Sequence, residues 1–128
     1  MEWIKDVENA PKPVGAYSPA VVIGETVYCA GQIGINPQTG KLVEGGIEPE
    51  CKQVLENIKA VLESSGSSFK RVALTTVFLA DIKDAPTVNG IYAQYVDPVN
   101  PPARQMLAVK DLPLGCRVEI SVIASRGA

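Results

Sequence analysis

Two charged residues stand where solvation alone does not explain them. Arg104, in the stretch PPARQM, heads an apolar strand behind Pro101 and Pro102. Glu119 is the lone acid in the strand-like run RVEISVIA. A guanidinium presents a planar fork that grips a carboxylate through two parallel bonds. A mid-strand carboxylate on a partly buried face is costly unless it is paired; beside a bound anion it can orient water and move a proton. The segments on either side of KDLPLG read as an antiparallel hairpin. That register places Val109 near Cys116 and Met106 opposite Glu119, with Arg104 one diagonal step away on the same face. Arg104 and Glu119 are then either a structural ion pair or a small cleft for an anionic substrate, needing neither metal nor bound cofactor.

The bulk composition narrows the chemistry. The chain holds no histidine, which removes Ser-His-Asp and Cys-His catalysis and the HExxH zinc sites. Its 128 residues fit one domain over 1–128. A composition 46% apolar and 20% charged is that of a globular chain. Net charge −2 and a pI near 5.1 argue against a nucleic-acid partner. Cys29, Cys51 and Cys116 are odd in number and widely spaced, so reduced thiols in a cytoplasmic protein are expected. The segment MEWIKDVENAPKP lacks the apolar core of a signal peptide, and no apolar run is long enough to span a bilayer. GINPQTGKL approaches a P-loop but has the wrong glycine spacing, and Leu42 replaces the magnesium-binding hydroxyl.

The elements that must position Arg104 and Glu119 follow from periodicity. Residues 1–16 read as an extended lead-in. Short β runs at 19–23 and 26–31 flank a Gly24-Glu25 turn, and 36–41 is a loop. Ile47, Cys51, Val54, Leu55, Ile58 and Leu62 form a helical stripe that Gly66 ends. RVALTTVFLA, 71–80, is β-branched and reads as a central strand. Helical spacing resumes through Val88, Ile91, Tyr92 and Tyr95, with Asp84 as a candidate cap. Strands at 104–109 and 116–125 complete a β-β-α-β-α-β-β order, an α/β (α+β) two-layer domain. Two helices cover one face of such a sheet, with Val118, Ile120 and Val122 beneath them. Val77, Leu79 and Ile123 make the other face apolar in places, which points to a homo-oligomer with its sheet faces turned inward.

The chain resembles the RidA/YjgF family of reactive-intermediate (2-imino/enamine) deaminases, also called L-PSP endoribonucleases. The resemblance rests on ENAPKPVGAYSPAV, VYCAGQIGINPQTGKLVEGG, TTVFLADIKDAPTVNGIYAQYV and PPARQMLAVKDLPLGCRVEISVIA. It implies a chorismate-mutase-like fold with a mixed sheet, two helices on one face and a homotrimer with inter-subunit clefts. The implied reaction is hydrolysis of 2-imino acids such as 2-iminopropanoate to 2-oxo acids and ammonia, with no cofactor. By position, Arg104 resembles the family's carboxylate-binding arginine and Glu119 its water-directing glutamate. Tyr17, Gly31, Asn89 and Met106 fall where the family lines its cleft. Ala30, Met106, Ser121 and Ala16 depart from frequent family residues: serine, cysteine, glutamate and proline. An RNA-cleaving enzyme and a non-catalytic small-carboxylate or partner-binding module are the alternative readings.

Overall fold

The longest apolar stripe becomes helix α1 (Ile47–Ser64), with Cys51, Val54, Leu55, Ile58, Val61 and Leu62 all buried. Gly66, at φ 79°, lets the chain turn away immediately afterwards. The computed structural model describes residues 1–127. Before α1 come β1 (Glu2–Ile4), β2 (Ala20–Ile23), β3 (Thr26–Gln32) and a small pair, β4 (Ile35–Asn36) and β5 (Lys41–Leu42). After it come β6 (Val72–Leu79), helix α2 (Ala85–Tyr92), β7 (Ala103–Ala108) and β8 (Val118–Ser125). Six strands make one mixed sheet in the order β1-β2-β3-β8-β6-β7. Strand β1 lies within the expected lead-in, paired antiparallel to β2; a three-residue edge strand is too short to show periodicity.

The largest departure from the sequence reading is the pairing of β7 and β8. They do not form a hairpin. β7 pairs parallel with β6 at the sheet edge, and β8 lies between β3 and β6, antiparallel to both. Burial explains the order. Val118, Ile120, Val122 and Ala124 of β8 are buried in strict alternation beneath the helices, as a central strand requires. β7 carries an exposed row that only an edge tolerates, preceded by two prolines that cannot donate to a ladder. The segment β6-α2-β7 is a parallel crossover unit.

The alternation also corrects the two faces. Val77 and Leu79 are fully buried on the helix side with Ile120 and Val118, their direct partners in β8. Ile123 does lie on the other face. Trp3, Val21, Tyr28, Ile123 and Leu74 form one row across it in cross-strand register. Trp3 and Tyr28 are 54% and 44% exposed, so this apolar face is open in the single chain.

Buried polar groups tie the layers together. Glu50, in the first turn of α1, accepts backbone N–H bonds from Arg117 (2.6 Å) and Val118 (3.2 Å) at the start of β8. Asp84 makes no side-chain cap on α2. Its carboxylate instead takes the Arg117 guanidinium at 2.8–3.2 Å. Asn57 of α1, fully buried, donates to the carbonyls of Ile33 and Ile35 just beyond β3. Removing the Glu50 carboxylate strands two backbone donors. Glu50→Ala should therefore lower unfolding free energy by about 2–4 kcal/mol, measured by urea titration, with Glu50→Gln costing less because its amide oxygen still accepts. An alanine variant as stable as the parent would contradict this account of β8.

Candidate active site

Arg104 stands on β7 directly beside Thr75 of β6. Thr75 is fully buried on the helix side, so Arg104 turns the same way, over α2. Its guanidinium carbon lies 5.2 Å from the centroid of the Tyr92 ring. Its Nη1 donates to Asn89 Oδ1 at 2.7 Å. Asn89 and Tyr92 are three residues apart on α2 and so share a helix face. Beneath them the Tyr92 hydroxyl donates to Thr75 Oγ1 at 2.8 Å. Burial pushes the Tyr92 hydroxyl pKa up, with the Thr75 bond and the Arg104 charge pulling it partly back. Met106, two residues along the strand, sits half-buried on the same side against the core. Arg104 and Asn89 are thus in direct contact, and Met106 lies on the same side of β7.

Glu119 lies on the opposite face. Its partner in β6 is Phe78, which is opposite Leu107 of β7. All three point to the open side. The expected register of Met106 against Glu119 is therefore overturned; Met106 is level with Val77 and Ile120. Arg104 and Glu119 are separated by two strand spacings and three residues of rise, roughly 10 Å each way, with the sheet between them. They form no ion pair within one chain.

Glu119 is half-buried, and loss of water around it pushes its carboxyl pKa above the usual 4.5. Gly31 of β3 lies against its side chain. A Cβ built at Gly31 would fall 2.5 Å from Glu119 Oε2, so any other residue would displace the carboxylate. Gly31 belongs to an irregular stretch of β3: the register to β8 shifts between Cys29 and Gln32. Such a bulge adds one residue and re-aims the strand. Asn57 holds the chain just beyond it.

Tyr17 is exposed ahead of β2 and lines a hollow with Trp3, Lys5 and Pro19 that contains neither Arg104 nor Glu119. Tyr92 and Thr75 were missed as site residues. Tyr92 satisfied the apolar helical stripe, and Thr75 the β-branched strand pattern, so each had a structural reason to be there. The three cysteines are free and buried. Burial pushes Cys29 and Cys51 up to about 12 and Cys116 up to about 11.

Residues 7–126 match the family model described as Endoribonuclease L-PSP. The 2-iminobutanoate/2-iminopropanoate deaminase of Rattus norvegicus is 48% identical over 119 residues, 93% of this chain and 86% of the rat protein. The crystal structure of YyfA from Yersinia pestis, of the conserved Rid protein family, superposes with a TM-score of 0.91. It is 43% identical and covers 95% of this chain and 97% of its own. E. coli TdcF, solved with bound serine, gives a TM-score of 0.90 at 32% identity, covering 98% of this chain and all of its own. The strand order, the arginine-bearing edge and the glutamate against Gly31 thus occur in a chain that belongs to the Endoribonuclease L-PSP family, the RidA/YjgF family.

Proposed function

We propose that this protein is an imine deaminase that hydrolyses small 2-imino acids to 2-oxo acids and ammonia, in clefts shared between copies of the chain in a homotrimer. The observation that carries the reading is the division of charge. A carboxylate-binding fork is held on the helix side of an edge strand, and a half-buried carboxylate waits on the open face. The two converge only if the edge of one copy meets the open face of another. The exposed apolar row on that face supports such packing. The rat relative's name supplies the substrate class, and the serine-bound E. coli relative fits a site for small amino-acid-like carboxylates.

The chemistry follows. Arg104 of one copy binds the substrate carboxylate and leaves the C=N carbon toward Glu119 of the next. Water adds to the carbon of the protonated imine while ionised Glu119 accepts one of its protons, giving a neutral carbinolamine. Glu119 returns that proton to the amine nitrogen, which becomes –NH3+. The C–N bond breaks as the hydroxyl oxygen forms the 2-oxo group and gives its proton to Glu119, which passes it to the departing ammonia as ammonium and is left ionised. A carboxyl held above its ordinary pKa is better matched to this exchange near neutrality than a solvated one. Arg104, Asn89 and Met106 line the proposed cleft from one copy, and Glu119, Gly31 and Tyr17 from the other.

Arg104→Ala and Glu119→Gln should each abolish accelerated ammonia release in an assay fed with imines by a dehydratase. Coexpressed as mixed trimers, the two variants should regain about a quarter of wild-type activity, because random mixing rebuilds one cleft in four. A mixture as inactive as its components would sink the shared cleft. The acid limb of kcat/KM should have its midpoint above 4.5, since the active base is the ionised Glu119 and its pKa is raised. Activity then falls as pH drops through that midpoint. A flat profile down to pH values well below it would remove Glu119 from the role.

A further inference from the structure

We infer that Tyr92 is a positioning residue for Arg104: its ring is the platform that fixes the guanidinium for carboxylate binding, and Thr75 is the anchor of that platform. The inference rests on the deaminase reading above and adds a residue to it. Arg104 is exposed on an edge strand, where a long side chain ordinarily samples many rotamers. Here it is restrained on two sides. The Tyr92 ring supports the guanidinium from one direction, with Cζ 5.2 Å from the centroid. Asn89 Oδ1 takes one Nη1 proton from another, at 2.7 Å. That bond uses one of the five guanidinium N–H groups and leaves four for a ligand.

The platform is itself rigid. Tyr92 is 4% exposed, and its hydroxyl is bonded to Thr75, which is 0% exposed. Thr75 is also the β6 residue directly beside Arg104. The ring and the strand that carries Arg104 are thus tied to the same residue, one through a side-chain bond and the other through the β ladder. A displacement of α2 relative to the sheet would move the ring and Asn89 together. Tyr92 does not touch the proposed substrate. It acts by limiting where the fork can be, which lowers the entropy lost when a carboxylate is gripped.

The test compares Tyr92→Phe, Tyr92→Leu and Arg104→Ala in full-length protein. The measurements are steady-state imine hydrolysis and equilibrium binding of the product-like probe 2-oxobutanoate. Tyr92→Leu should raise KM and the 2-oxobutanoate Kd together, by about tenfold, with kcat changed less than about threefold. Tyr92→Phe keeps a ring beneath the guanidinium but loses the bond to Thr75, so both constants should rise by about twofold to threefold, less than in Tyr92→Leu; a Tyr92→Phe protein identical to wild type overturns the anchoring role of Thr75. A folded Tyr92→Leu protein with unchanged KM and Kd overturns the proposal, as does a Tyr92→Phe variant impaired as much as Tyr92→Leu. If Tyr92→Leu fails to fold, the wild-type protein decides. The Arg104 Nε–H resonance, identified by its loss in Arg104→Ala, should be shifted upfield by the ring and should move on adding 2-oxobutanoate. A resonance at the position of a free arginine overturns the platform. Unimpaired turnover and binding in Arg104→Ala would overturn the deaminase site and this inference with it. Loss in Arg104→Ala without loss in Tyr92→Leu overturns only the role of Tyr92.

Discussion

The placement of β6 between β7 and β8 is the constraint on which the rest of this molecule depends. Side chains alternate across a sheet, so a change of neighbour fixes which groups can share a face. With β6 inserted, Thr75, Val77 and Leu79 become the shared seam under the helices, flanked by Val122, Ile120 and Val118 from β8. Arg104 must then join the seam side, and Glu119 must leave it. A hairpin would have allowed the two charges to neutralise each other. The inserted strand keeps them apart, leaving the guanidinium to α2 and the carboxylate to the opposite surface.

That separation is maintained by a few buried polar contacts. Glu50 fixes the first backbone donors of β8, one residue before Glu119. Arg117, at the same turn, reaches Asp84 at the start of α2. The helix bearing Asn89 and Tyr92 and the strand bearing Glu119 are therefore joined through one short segment, 117–119. Asn57 holds the far end of the β3 bulge at Gly31. The Glu50 and Asn57 bonds lie in a low-dielectric interior, where a satisfied network specifies one arrangement and a half-satisfied one is costly, while the Arg117 guanidinium closes over Asp84 from the solvent side. The groups proposed to do chemistry are surface groups; what fixes them is internal.

Much of this was legible in the sequence, for identifiable reasons. α1 declared itself through its long apolar stripe, and β8 through the alternation of Val118, Ile120 and Val122. Arg104 and Glu119 stood out because charge at those positions lacked a local explanation. Strand order was not legible, because adjacency in sequence favours a hairpin and the two true neighbours of β8, β6 and β3, are both more than thirty residues upstream. Periodicity reports which residues share a face within one strand. It does not report the face assigned to the next strand, and that is where Val77, Leu79 and the pairing of Arg104 with Glu119 were misplaced. Asp84 misled for a related reason: its position before α2 suited a cap, while a distant arginine claimed the carboxylate.

The buried thiols have a consequence of their own. Burial pushes Cys116 up to about 11 and Cys29 and Cys51 up to about 12, which keeps all three in the thiol form at neutral pH. The thiolate is the form that adds to electrophiles and is oxidised by peroxides. Carbon–nitrogen double bonds are electrophilic at carbon. A catalyst repeatedly exposed to them would gain adducts at any accessible thiolate, and this chain presents almost none. Its cysteines serve as small apolar packing, and its durability against its own proposed substrates is set by the same core that sets its fold.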